Sequence, residues 1–290
     1  MTIVTDPRCA EYRAMGHPER PQRVERTAQL LREQRALTLS WAGPAPVEDA
    51  DLLRAHAEGH LARLALPQDF DADTPAHPGI AAHARRAAGA ALAAMDLARQ
   101  CLPAFSLMRS PGHHATRHHA MGFCYLGSLA IAALAARARG VPRIGLLDFD
   151  VHHGNGTEDI VVGAPGVVFA SVHQHPCYPG TGAADVGNNC FNFPVAPRTP
   201  RAEWRKRLDA ALGKVLGFRP ELIGVSAGFD AYSGDPLAQG TLEREDFEWL
   251  GGRLRAAGIP VFSVLEGGYS NDLPDLVLHY LLGLQGGGGG

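Results

Sequence analysis

The chain has 290 residues, 46% of them hydrophobic, with 27 Lys and Arg against 30 Asp and Glu for a net charge of −3. That is enough apolar material for one large α/β domain or two small ones. The basic residues are scattered, with no Lys/Arg block or basic-aromatic stripe, so direct nucleic-acid contact is not expected. No uninterrupted apolar run reaches membrane-spanning length, and the first six residues lack the charged and apolar regions of a secretory signal. Five widely spaced cysteines, none in a Cys-x-x-Cys pair, argue against a disulfide framework or a thiolate zinc site. A reducing compartment, the cytoplasm, is the expected location.

In chain order the hydrophobic pattern predicts helices over residues 19–34, 50–64 and 81–100, then a strand over 104–108 and a helix over 122–139. Strands follow over 143–149 and 167–172. The pattern continues with a helix over 201–216, a strand over 221–226, a helix over 243–257, a strand over 260–265 and a helix over 272–284. Pro200 opens one helix, and Gly140, Gly217 and Gly258 close others, which is the expected punctuation. Such alternation predicts a parallel sheet covered by helices on both faces. Residues 194–200 read as a loop, and residues 69–78 are too irregular to interpret. The expected organisation is one domain over 1–285, with the glycines of 286–290 as a disordered tail.

Each predicted strand is followed by an unusual polar cluster. Pro111-Gly112-His113-His114 follows the first, and Asp148-Phe149-Asp150-Val151-His152-His153-Gly154-Asn155 ends the second. His173-Gln174-His175 and then Tyr178-Pro179-Gly180-Thr181-Gly182 follow the third. Ala227-Gly228-Phe229-Asp230 follows the fourth, and Glu266-Gly267-Gly268-Tyr269 the fifth. In a parallel α/β sheet, ligands bind at the carboxyl ends of strands, so loops this distant in sequence can converge. Along an extended backbone Asp148, Asp150 and His152 project to one side. A carboxylate and an imidazole two residues apart can grip one divalent cation. The alternative for this stretch is a helix-capping cluster or a buried carboxylate satisfied by backbone amides.

Together these residues resemble the histone deacetylase family of the arginase/deacetylase superfamily. The match runs from Gly16-His17-Pro18-Glu19-Arg20-Pro21-Gln22-Arg23 to Tyr269. It includes Met121-Gly122-Phe123-Cys124-Tyr125 and Asp235-Pro236. Asn155 after His-His-Gly, and Glu266 before Gly-Gly-Tyr, are similar to the class II and bacterial amidohydrolase branch. The resemblance implies a single α/β domain with a central eight-stranded parallel sheet and helices on both faces. It also implies Zn²⁺-dependent removal of acyl groups from lysine side chains.

By that resemblance Asp150, His152 and Asp230 are the metal ligands, a donor set hard enough to admit Fe²⁺ or Mn²⁺ as well. His114 is the implied general base, oriented by Asn155, and His113 its electrostatic partner, oriented by Asp148. An Asn cannot stabilise an imidazolium as a carboxylate can, so the two histidines should differ in pKa. Tyr269 is the implied oxyanion donor, with Gly267 and Gly268 bringing it inward. Phe123 and Tyr178 match the aromatic walls of a narrow lysine tunnel, and the Gly122 carbonyl would accept the substrate amide N–H. Arg23 matches an arginine behind the site. A K⁺ ion is implied at Asp148, Asp150, His152, Ser171 and Val172. Cys177 is a candidate thiol at the mouth.

The expected partner is an acylated lysine in a protein or peptide, or a small acylated amine, with no nucleic acid and no membrane. An acetylpolyamine deacetylase is the nearest alternative. Leu237, apolar after Asp235-Pro236 where polyamine-selective relatives often carry an acidic residue, disfavours it. A non-catalytic acyl-lysine binding module is the third.

Overall fold

A computed structural model describes residues 1–286; the expected glycine tail beyond Gly286 lies outside the described residues. Eight strands form one sheet: β1 (Thr2–Val4), β2 (Ser40–Ala42), β3 (Ala104–Ser106), β4 (Ile144–Asp148), β5 (Val167–Gln174), β6 (Cys190–Val195), β7 (Leu222–Ala227) and β8 (Val261–Leu265). All are parallel, in the order β2-β1-β3-β8-β7-β4-β5-β6. The helices are α1 (Gln22–Glu33), α2 (Asp49–Ala55), α3 (Glu58–Arg63), α4 (Ile80–Arg99), α5 (Ser128–Ala138), α6 (Asn155–Val161), α7 (Arg201–Gly217), α8 (Arg244–Ala256) and α9 (Leu273–Gln285).

The central strands are apolar throughout because both faces are covered. A Cβ on Gly145 of β4 would meet Val215 of α7, whereas one on Gly224 of the neighbouring β7 would meet Leu129 of α5. The two glycines thus mark opposite faces, each letting a helix approach closely. Among the described residues no helix is long and apolar enough to cross a membrane.

All five predicted strands are present, and the sheet adds three that periodicity missed. β1 and β2 are three residues each, too short to show alternation. β6 contains Pro194, which places that residue in a strand rather than the expected loop. β6 is the last strand of the sheet, where a missing N–H is tolerated.

Two helices differ in kind. The helix expected over 50–64 breaks at His56 (φ −122°, ψ 149°). There the His56 Nδ1–H donates to the Thr116 carbonyl at 2.9 Å, and its Nε2 accepts the Gly127 N–H at 2.9 Å. These tertiary bonds override local propensity.

The helix expected from 122 begins only at Ser128. Met121 and Cys124 instead exchange backbone hydrogen bonds of 3.0 and 2.9 Å around Gly122 (φ +55°) and Phe123 (φ +69°). Positive φ at both central residues is the mark of a type I′ turn. α6 was not foreseen, and α1 starts three residues later than expected.

Candidate active site

The loops after β3, β8, β7, β4 and β5 carry the polar clusters, and these five strands are consecutive neighbours in the sheet. Parallel pairing places all five carboxyl ends at one edge. Extended alternation does not aim the residues after β4, because the strand stops at Asp148. The chain turns instead, with Asp148 Oδ1 accepting the Asp150 N–H at 3.1 Å and Asp150 Oδ1 accepting the His152 N–H at 2.9 Å. Phe149 and Val151 still point into the core. Phe149 meets Phe229 edge to face at 5.7 Å, and both pack on Phe247 and Tyr280. Each of these anchors immediately precedes a candidate ligand, Asp150 or Asp230, so aromatic packing fixes both carboxylates.

Asp150, His152 and Asp230 are buried and offer one ligand atom each, all within 4.8 Å of one another. His152 Nδ1 lies 3.1 Å from Asp150 Oδ1 and 3.1 Å from Asp230 Oδ2. The other oxygens are held from behind: Asp150 Oδ2 accepts the Gly267 N–H at 2.7 Å, and Asp230 Oδ1 the Val151 N–H at 2.8 Å. A Cβ on Gly228 would strike Asp150, and one on Gly267 would strike Asp230. Burial and the Asp150 charge raise the Asp230 carboxyl to about 7. Two buried carboxylates and an imidazole, converging with their far sides already satisfied, fit a divalent cation with a coordination position left open.

The tandem histidines hang from the β3 loop, which Glu266 ties down. Its Oε2 accepts the Gly112 N–H at 2.6 Å and the His113 N–H at 3.1 Å, while Oε1 accepts the Ser226 hydroxyl at 3.1 Å. His113 Nδ1 lies 3.0 Å from Asp148 Oδ2, and His114 Nδ1 lies 2.7 Å from Asn155 Oδ1. Burial disfavours charge on His113, but Asp150 and Asp148 outweigh it and raise the imidazole to about 10. Burial, together with His113 and His152, holds His114 well below its ordinary value.

Above these groups opens a cleft of about 290 Å³ lined by His17, Pro18, Asp73, His114, Gly122, Phe123, His152, Tyr178, Leu237 and Tyr269. The type I′ turn presents Phe123, whose N–H donates to Thr74 Oγ1 at 3.0 Å. Phe123 packs edge-on against His17 at 4.6 Å and Tyr269 at 5.7 Å. Tyr178 meets His114 at 5.0 Å and stands at the rim, 38% exposed. The Gly122 carbonyl accepts the Cys124 thiol at 3.3 Å, a weak donor that leaves capacity for another partner. Burial raises the Tyr269 phenol well above its usual value, so it stays a donor.

Arg23 is a buried side chain, not one on a helix surface. Its Nε donates to the Gly268 carbonyl at 2.7 Å, another guanidinium nitrogen bonds the Glu266 carbonyl, and the group lies 4.7 Å over the Tyr269 ring. Glu19 pairs with it at 3.2 Å and is clasped by Arg109 at 2.7 and 2.8 Å. Arg109, fully buried, and Asp235 are site-shaping residues that the sequence reading did not assign.

Asp148 and Ser171 are direct partners across β4 and β5. His173 Nε2–H donates to the Gly182 carbonyl at 3.0 Å, so its Nδ1 takes the Ser171 hydroxyl proton at 2.9 Å. The Ser171 oxygen therefore keeps its lone pairs.

The Histone deacetylase domain family matches residues 17–283. The chain belongs to this family. A histone deacetylase-like amidohydrolase of Pseudomonas aeruginosa is 38% identical over 280 residues, covering 89% of this chain and 73% of the relative. Acetylpolyamine amidohydrolase 1 of the same organism is 36% identical over 213 residues, covering 69% of this chain and 61% of the relative. Among solved structures the HD domain of HDA15 superimposes with a TM-score of 0.91 at 31% identity, over 98% of this chain and 88% of that one. The fold is thus the arginase/deacetylase arrangement, and the chain is a hydrolase of the deacetylase/amidohydrolase kind, acting on amides.

Proposed function

We propose that residues 1–285 form one catalytic domain that removes acetyl groups from lysine side chains of proteins or peptides. The observation that carries this reading is that His114, His152 and Tyr269 border one cleft, with Asp150 and Asp230 each 3.1 Å from His152. Asp150, His152 and Asp230 would hold Zn²⁺, and the donor set would also accept Fe²⁺ or Mn²⁺. When bound, the cation supplies Lewis-acid polarisation of the amide carbonyl and of the attacking water.

His114 takes the proton of the attacking water at Nε2, because Asn155 holds its Nδ1–H. His113 carries positive charge beside it and supplies the proton that the leaving amine needs. The Tyr269 hydroxyl donates to the developing oxyanion. Phe123 and Tyr178 hold the apolar lysine stem and exclude water, the Gly122 carbonyl takes the substrate N–H, and Gly268 allows the turn that brings Tyr269 in. K⁺ at Asp148, Asp150, His152, Ser171 and Val172 is supported by the lone pairs left on Ser171. The widely spaced cysteines support a cytoplasmic setting.

Leu237 on the rim favours a peptide over a polyamine, since an apolar side chain offers nothing to a second ammonium group. Asp73 on the cleft lining is the feature that favours a small cationic amine as the second reading. A panel of acetyl, propionyl, butyryl, octanoyl and myristoyl lysine peptides with acetylputrescine, assayed on metal-replete protein, separates them. An acyl-lysine peptide should turn over fastest. Faster turnover of acetylputrescine would reverse the ranking.

A further inference from the structure

Asp235 lies in the turn after β7, 7% exposed, yet its carboxylate is given over to backbone. Oδ2 accepts the Tyr269 N–H at 2.6 Å and the Ser270 N–H at 3.1 Å, and Oδ1 accepts the Leu237 N–H at 3.0 Å. Tyr269 follows Gly267 and Gly268, the latter at φ +114°. Two glycines without side chains cannot anchor the turn that carries the phenol, so its direction must be fixed from outside.

The peptide unit joining Gly268 to Tyr269 is held at both ends. Arg23 takes its carbonyl at 2.7 Å, and Asp235 takes its N–H. Rotating that plane would swing the Tyr269 side chain away from the cleft. The same carboxylate reaches Leu237, so one acid links the cleft rim to the tyrosine.

We propose that Asp235 is a positioning residue for the hydrolysis, holding the Gly268–Tyr269 peptide so that the phenol meets the reacting carbonyl. The role rests on Tyr269 being the oxyanion donor. A shift of about 1 Å in such a group lowers rate by on the order of a hundredfold. Asp235 therefore acts on kcat through Tyr269, not on binding.

The test is a double-mutant cycle with Asp235→Asn and Tyr269→Phe on one acyl substrate, with amide hydrogen exchange across 266–270. The side-chain amide of Asp235→Asn turns one acceptor into a donor facing backbone N–H groups. Expected results are a kcat loss on the order of tenfold to a hundredfold with little change in KM, faster exchange at Tyr269 and Ser270, and almost no further loss when the change is added to Tyr269→Phe.

Equal fold-losses in both backgrounds, or unchanged kcat or exchange in Asp235→Asn, would overturn the positioning role. Near-normal turnover in Tyr269→Phe would overturn the donor reading, and the positioning role with it. Should Asp235→Asn fail to fold, Asp235→Ser, which keeps one acceptor oxygen without the charge, takes its place in the cycle.

Discussion

His114 donates through Nδ1 to Asn155 Oδ1 at 2.7 Å, whereas its neighbour His113 faces the Asp148 carboxylate at 3.0 Å. One ring is thereby set as an acceptor at Nε2, while the carboxylate beside the other favours its protonated form, although their centroids are only 4.0 Å apart. His114→Ala should lower kcat by on the order of 10²–10⁴, the usual worth of a general base. Asn155→Ala removes only the orienting bond, about 1 kcal/mol, so it should lower kcat roughly fivefold with metal content unchanged. Equal losses in the two variants would show that Asn155 does more than orient.

Glu266 is fully buried and gives one oxygen to two backbone donors of the histidine loop. Glu266→Gln can keep this arrangement, with its carbonyl toward Gly112 and His113 and its amide toward Ser226. Glu266→Ala strands both N–H groups, at about 1–3 kcal/mol each. The glutamine variant should remain close to wild type in melting temperature and turnover, and the alanine variant should lose both. A glutamine variant as impaired as the alanine one would mean that the charge, not the acceptor, matters.

The difference between these two cases separates what local sequence encodes from what it does not. His113, His114, Asp150, His152, Asp230 and Tyr269 sit in short local motifs whose residue types announce their chemistry. Their convergence follows from strand order, which the alternation of elements already implies. Glu266, Asp235 and Arg109 act on backbone groups or partners 34 to 154 residues away, and no local pattern records such a bond. The break at His56 and the turn at Gly122 and Phe123 depart from the helical pattern for the same reason. In both places a distant partner, Gly127 or Thr74, overrides a helix-compatible sequence.

Chelation supplies a prediction about stability as well as rate. Asp150 and Asp230 are buried side by side with one imidazole between them, and a cation relieves their repulsion. Ligand at a hundredfold excess over Kd stabilises the fold by about 2.7 kcal/mol. Metal-stripped protein should therefore melt several degrees lower, lose amidase activity, and recover both when Zn²⁺ is restored. Asp230→Asn should melt at the same temperature with and without Zn²⁺. A Zn²⁺-dependent melting shift that survives in Asp230→Asn would place the ion elsewhere.

His56, 1% exposed, gives a pH dependence outside the catalytic groups. Burial, with His60 beside it, depresses its imidazole to about 3. Its hydrogen bonds require the neutral ring, since Nε2 must accept from Gly127 while Nδ1–H donates to Thr116. The unfolded chain takes up a proton near 6.5, and the folded one does so only near 3. This group's share of stability is intact above pH 6.5 and falls as pH drops toward 3, by about 1.4 kcal/mol per pH unit. His173, lowered to about 3 by burial and by His153, acts in the same direction. The slope of unfolding free energy against pH between 6 and 4 should therefore be shallower by about one proton in His56→Gln than in wild type. Denaturant unfolding at several pH values measures both slopes, whatever the variant's absolute stability. Identical slopes would mean that His56 is already protonated in the fold, and that the Gly127 N–H has lost its acceptor.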